Sequence, residues 1–266
     1  MTRAVLIGAT GRMGSAIVQV VTATQSLDIV AAVGSTKTAG RDVGEIAGLK
    51  PLGVAVSADL PDLAGAQVAI DFSRPELTLR ALDACRAARV PILVGTTGHG
   101  AEFEAKVAGA SREIAVLVAP NTSIGVAVAQ ELVRLAAAAL PAEFEIEISE
   151  AHHKHKVDAP SGTALALAQS AAAARHLDPR TDVVAGRAGQ AARRPGEIGI
   201  ASLRAGDIVG SHTVLFAGSG ERLTIGHEAT DRSIFARGAV RAASWLAAQK
   251  PGRYTMGHVL GLKTIA

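Results

Sequence analysis

Ala4-Val5-Leu6-Ile7-Gly8-Ala9-Thr10-Gly11-Arg12-Met13-Gly14 decides the fold. Four consecutive apolar residues run into glycines spaced three apart, and residues 13–24 then repeat apolar positions at helical spacing. A strand that is apolar at every position suits a parallel sheet covered on both faces. A strand-to-helix turn this tight needs glycine. Close approach of a pyrophosphate also excludes a Cβ, and the helix start offers free N–H groups to phosphate oxygens. The spacing G-x-x-G-x-x-G departs from the commoner G-x-G-x-x-G, and a tight turn without a ligand would give the same pattern. Its place at the head of a βαβ sequence favours a dinucleotide.

Outward from this loop the alternation continues. Apolar runs at 28–33, 68–72, 91–94 and 115–118 predict strands, and residues 75–88 predict a helix. About twenty residues after the glycines, a dinucleotide site expects an acid for the ribose 2′-hydroxyl. That place reads Val33-Gly34-Ser35-Thr36-Lys37, and Asp28 stands at the wrong end of the strand. Hydroxyls and a lysine suit a 2′-phosphate, so NADPH is expected over NADH, with Ser35 and Lys37 as its contacts. A solvated loop lysine is the plainer alternative for Lys37.

Near residue 140 the pattern changes. Phe144, Ile146 and Ile148 alternate with Glu143, Glu145 and Glu147, which predicts a half-solvated strand. Further strand-like runs at 198–203, 207–216 and 221–227 are separated by Ala205-Gly206 and Gly218-Ser219-Gly220, which read as turns between neighbours. Residues 164–174 and 238–248 read as helices, the second of them able to pack back on the first domain.

The strand at 144–149 leads into Glu150-Ala151-His152-His153-Lys154-His155-Lys156-Val157-Asp158-Ala159-Pro160-Ser161-Gly162-Thr163-Ala164. If strand parity continues, His152 shares the inward face of Ile146 and Ile148, and Lys156 has the same parity. Imidazole can donate a proton near neutral pH, and a lysine can neutralise a carboxylate or supply a proton. Pro160 suits a first helical turn, Asp158 or Ser161 a cap, and Gly162 and Thr163 then present donors to an anion. A solvated charge run and a zinc site of His152, His155 and Asp158 are the competing readings.

Composition narrows the function class. The chain has 266 residues, 48% of them hydrophobic, which suits one large or two modest globular domains. Only seven residues are aromatic and the net charge is +3, so no nucleic-acid partner is expected. No apolar stretch is long enough to span a membrane, and none is expected as a partner. The single Cys85 excludes an internal disulfide and a cysteine-based zinc site, no metal is expected, and a cytoplasmic location fits. A non-catalytic dinucleotide sensor is the rival to an enzyme. It would have no use for His152 and Lys156.

The chain resembles the 4-hydroxy-tetrahydrodipicolinate (dihydrodipicolinate) reductase family over nearly its whole length. The carriers are residues 8–14, Ile70-Asp71-Phe72-Ser73-Arg74-Pro75, Gly95-Thr96-Thr97-Gly98, Ala119-Pro120-Asn121-Thr122-Ser123-Ile124-Gly125, residues 150–164, Arg204-Ala205-Gly206-Asp207-Ile208-Val209-Gly210 and Phe235-Ala236-Arg237-Gly238-Ala239. The resemblance implies an α/β fold: a Rossmann-type parallel-sheet domain (1–123 and 233–266) and an α+β substrate and tetramerisation domain with an open mixed sheet (124–232). It implies reduction of a cyclic imine dicarboxylate by NAD(P)H in a homotetramer of the diaminopimelate route to lysine. His152 would be the acid and Lys156 a proton donor, with His153, Ser161, Gly162 and Thr163 on the substrate carboxylates. Gly8, Ala9, Thr10, Gly11, Arg12 and Met13 would hold the cofactor phosphates, and Gly95, Thr96, Thr97, Ala119, Pro120, Asn121 and Thr122 would line the nicotinamide side. The chain departs from the family at Gly34 and Ser35, where many members carry an acid and an arginine, and at Thr122, where phenylalanine is common.

Overall fold

The computed structural model describes residues 1–262. In chain order the first part runs β1 (Thr2–Ile7), α1 (Arg12–Thr24), β2 (Leu27–Val33), α2 (Val43–Ile46), β3 (Val56–Ser57), β4 (Val68–Asp71), α3 (Pro75–Ala88), β5 (Ile92–Val94), α4 (Glu102–Ser111) and β6 (Ala115–Val118). The middle follows with α5 (Ile124–Ala139), β7 (Glu145–His152), α6 (Gly162–Ala174), α7 (Pro179–Asp182), β8 (Val183–Ala185), β9 (Ile198–Arg204), β10 (Gly210–Gly218) and β11 (Glu221–Ala229). The chain then forms α8 (Ser233–Leu246), β12 (Gly252–Tyr254) and α9 (Met256–Val259).

Two compact units result, Met1–Ile124 with the chain from Ser233 onward, and Gly125–Arg232. In the first, a parallel sheet has the order β12-β6-β5-β4-β1-β2-β3. The order reverses between β1 and β4, which is where a doubly wound sheet opens its ligand crevice. Val5, Ile7, Val33, Ala69, Ile92, Val94 and Val116 form one core with Leu82 and Cys85 of α3 and Val107 of α4. Each fully buried Val, Leu or Ile contributes ~1.5–3 kcal/mol. On α8 the buried positions are mostly small (Ala236, Gly238, Ala239, Ala242, Ala243), so the helix lies close against β4, β5 and α1. Helix α3 follows the sequence pattern: Pro75 opens its first turn and Arg89 closes it in the left-handed region.

The second unit holds a mixed sheet of order β11-β10-β7-β9-β8. β10 runs antiparallel to β11 and β7, while β7, β9 and β8 are parallel. Gly218–Glu221 closes a hairpin, as the sequence predicts. Ala205-Gly206 does not join sheet neighbours, because β7 lies between β9 and β10. One face of the sheet is laid out in rows: Phe216, Ile146 and Ile198, then Val214, Ile148 and Ile200, all buried with Leu167, Ala168 and Ala171 of α6. The next row along the same face is His212, Glu150 and Ser202, followed by His152 beside Arg204. The apolar core therefore turns polar at one end of the sheet without a change of face.

Candidate active site

In the first unit the crevice is built from strand ends. Gly8 has φ +82°, and a Cβ there would lie 2.2 Å from the carbonyl oxygen of Phe72. A Cβ at Gly14 would lie 2.3 Å from the oxygen of Gly8. Both positions are thus restricted to glycine by backbone, which cannot give way. The N–H groups of Gly8 and Ala9 donate to the oxygen of Val33, pinning the loop to the end of β2. Helix α1 starts after Gly11 with no side-chain cap and no acid in its first turn. The donors at Arg12 and Met13 are open to an anion there, so this cradle fits the pyrophosphate of a dinucleotide.

Around it stand the other sequence-selected residues. Thr10 packs against Gly34, where a Cβ would meet its methyl at 2.5 Å. Ser35 and Lys37 are exposed, Ser35 just before and Lys37 within a single turn at Thr36–Thr38, with the Ser35 hydroxyl 3.1 Å from that of Thr38. Gly95 follows β5, and a Cβ there would collide with the Phe72 ring. Thr97 and Pro120 are exposed, Asn121 is half-buried, and Ala119 is buried. Thr96 and Thr122 are buried with committed hydroxyls. Thr96 donates to Asp71 Oδ2 (2.9 Å) and accepts from the Ser73 N–H (2.8 Å), and Thr122 donates to the oxygen of Phe235 (2.6 Å). Neither hydroxyl is left to contact a ligand directly. The sequence reading assigned Asp71 no role, yet it is fully buried and ties Ser73, Thr78 and Thr96 together. Burial raises its carboxyl, against the hydrogen bonds from those hydroxyls.

In the second unit, His152 is buried at the end of β7 on the face of Ile146 and Ile148, as parity predicts. Its Nδ1 lies 2.6 Å from Glu150 Oε2. Glu150 is fully buried and accepts from Arg204 Nη1 and Nη2, both at 2.9 Å, and from the Ser161 N–H at 3.1 Å. Burial by itself would raise this carboxyl. Hydrogen bonds from Arg204, Ser202, His152 and Ser161 outweigh it and hold the group at about 2. Ser161 caps α6 by accepting from the Ala164 N–H, and its hydroxyl lies 3.0 Å from His212 Nε2. His212 stacks edge-on to His152 at 5.1 Å, and burial first, then the charge of His152, pushes its imidazole down to about 4. Gly162 is exposed and Thr163 half-buried at the helix start.

His153 points elsewhere, with Nε2 3.2 Å from an Arg232 guanidinium nitrogen. Burial, then the charges of Arg232, His155, His152 and Lys156, lower its imidazole. The chain turns after His152, with the Lys156 N–H donating to the oxygen of His153. Strand parity therefore does not reach Lys156, a correction to the sequence reading. Its ammonium is paired with both oxygens of Asp158 at 2.7 and 2.8 Å. Asp158 is thus engaged and Ser161 is the cap, while Pro160 precedes the helix rather than opening it. Among the described residues no group of three or more His, Cys, Asp or Glu side chains is arranged to hold a metal ion, so the His152–His155–Asp158 alternative is not assembled. Glu150, Arg204, His212 and Arg232 were missed as site residues. For Glu150 the signal was present: it continues the Ile146–Ile148 alternation as an acid on an inward face.

Comparison with known proteins fits this arrangement. Residues 2–122 match the family model of the dihydrodipicolinate reductase N-terminus and residues 125–260 that of its C-terminus. A 4-hydroxy-tetrahydrodipicolinate reductase of Anaeromyxobacter dehalogenans is 49% identical over 267 residues, covering 99% of each chain. One from Alkalilimnicola ehrlichii is 49% identical over 98% of this chain and 99% of its own. Among solved structures, a dipicolinate-bound dihydrodipicolinate reductase from a Paenisporosarcina species superposes with a TM-score of 0.76 at 26% identity, covering 96% of this chain and 97% of the other. With both family models matched in chain order across a doubly wound sheet and a mixed-sheet unit, the chain belongs to the dihydrodipicolinate reductase family and is an oxidoreductase.

Proposed function

We propose that the chain reduces 4-hydroxy-tetrahydrodipicolinate to tetrahydrodipicolinate, with loss of water, in the diaminopimelate route to lysine, and that His152 is its acid. The observation that carries the reading is the buried His152, bonded through Nδ1 to Glu150 beside the capped start of α6. The nitrogen left for chemistry is Nε2, and an anion held at Ser161, Gly162 and Thr163 would lie at a helix start with no acid in its first turn. His153 and Arg232 add donors for a second carboxylate. Lys156 contributes a cation whose charge reaches both His153 and His212, and it serves as a proton donor when substrate displaces Asp158.

The bound dihydronicotinamide supplies the hydride. The chain's own part is to cradle the dinucleotide phosphates at residues 8–13 and to hold the substrate dicarboxylate. It must also deliver a proton as electron density builds on the ring, a contribution of ~10²–10⁴ in rate. NADPH is the preferred cofactor and NADH the alternative, since Ser35, Lys37 and Arg12 are exposed around a β2 end that carries no acid. We also propose a cytoplasmic homotetramer. The outward face of the second sheet carries Ser149, Ala151, Ala201, Leu203, Thr213 and Leu215 beside Glu145 and Glu147, which pair with Arg187 and Arg193, and Leu203 is 61% exposed there. Such a face suits association with further copies.

An NADPH-oxidation assay with freshly generated substrate tests the reading. His152→Gln and Lys156→Met should each lower kcat by ~10²–10⁴ with NADPH affinity unchanged, and His153→Ala should raise KM for the substrate. Folded His152→Gln and Lys156→Met proteins with wild-type kcat would sink it.

A further inference from the structure

Glu150 is a buried acid to which the scheme above gives no task. Its two oxygens collect the His152 Nδ1, both Arg204 terminal nitrogens and the Ser161 N–H. These partners come from three separated segments, and Arg204 also donates to the oxygen of Asp158 (2.5 Å), tying down the loop between them. We propose that Glu150, clamped by Arg204, is a positioning residue that fixes His152 in its Nδ1–H tautomer, with Nε2 turned to the substrate, and holds the start of α6 in register with it. The inference rests on His152 being the acid.

The chemistry follows from the two nitrogens. A protonated His152 carries hydrogen on both; one is given to the Glu150 carboxylate as a hydrogen bond and the other faces the reaction. When the acid acts, the Nε2–H bond breaks and a bond from that proton forms to the substrate ring, which holds the electron pair brought by the hydride. The imidazole left behind is neutral and carries its hydrogen on Nδ1, already bonded to Glu150. No ring flip intervenes before Nε2 regains a proton from water. Glu150 does not take up the proton itself, because Arg204 and its other donors keep it ionised at about 2.

A buried ion pair with a purely structural role would also destabilise the protein when broken, so the test needs a readout that such a role does not move. In the full-length protein labelled with ¹⁵N-histidine, long-range ¹H–¹⁵N correlation reads the tautomer of neutral His152, assigned by its loss in His152→Gln. The expected result is hydrogen on Nδ1 in the wild type. In Glu150→Gln the Nδ1–H share should fall and kcat should drop ~10²-fold, with the Kd for NADPH unchanged. If Glu150→Gln does not fold, the double variant Glu150→Gln/Arg204→Met removes both charges and carries the same readouts. Hydrogen on Nε2 in the wild type, or a folded variant that keeps wild-type kcat together with Nδ1–H, overturns the proposal. The tautomer does not pass through activity. A His152→Gln protein with wild-type kcat would therefore overturn the acid assignment, while the tautomer result still decides the clamp.

Discussion

Gly210 offers the sharpest test of which His152 nitrogen does the chemistry. It stands at the start of β10, one position beyond the Ser211–Ala151 pair, on the face that carries His152. A Cβ placed there would lie 3.1 Å from His152 Nε2, 3.5 Å from its Cδ2 and 3.7 Å from His212 Cε1. No backbone atom is among these neighbours, and no left-handed φ is required, so Gly210→Ala should fold. The lost chain entropy of glycine offsets the crowding to within about 1 kcal/mol. The imidazole must nevertheless retreat by about 0.3 Å to reach ordinary contact. At ~10²-fold per ångström of misplacement, that alone lowers kcat about fourfold, and the methyl also screens Nε2 from the substrate, giving a total loss of about tenfold. Steady-state kinetics with thermal melting distinguishes the outcomes. A folded Gly210→Ala protein with wild-type kcat and KM would refute the placement of Nε2 as the reacting atom. A large loss of Tm would instead show that the strand, not the imidazole, absorbs the methyl.

Lys37→Glu should weaken NADPH by about tenfold or more, the worth of a charge-assisted hydrogen bond, and NADH much less; titration of both cofactors checks it, and equal losses would remove the 2′-phosphate assignment. The second unit should lose stability on acidification. His212 is held at about 4 against 6.5 and Glu150 at about 2 against 4.5, so in both cases the unfolded chain binds the proton more tightly. Their stabilisation is complete above about pH 6.5 and is lost progressively as pH falls through about 4 and then toward about 2. Asp71 in the first unit acts in the opposite sense, since its raised carboxyl binds the proton more tightly when folded. The single Trp245 and single Tyr254 both lie in the first unit. Hydrogen exchange resolved by peptide is therefore the measurement, and protection in β7, β9 and β10 that is constant from pH 7 to 4 would contradict it.

Local pattern by itself determined much of this protein. Strands buried on both faces must be apolar at every position, so residues 4–7, 91–94 and 115–118 announced a parallel sheet, and the glycines after β1 announced a turn too tight for a Cβ. Alternation from Phe144 onward placed His152 on the inward face, because the side-chain period of a strand is two and does not drift. The same rule failed at Lys156, where a turn ends the period after His152. Only the tertiary structure decided the rest. That β7 lies between β10 and β9 cannot be read from chain order, since pairing between distant strands depends on register and on what each face buries. The meeting of Glu150 with Arg204, 54 residues apart, follows from that strand order, as does that of Ser161 with His212, 51 apart, once α6 starts over the same end of the sheet. So does the conversion of an apolar face into a row of histidine, carboxylate and guanidinium, because the polar groups satisfy one another only when β7, β9 and β10 stand side by side.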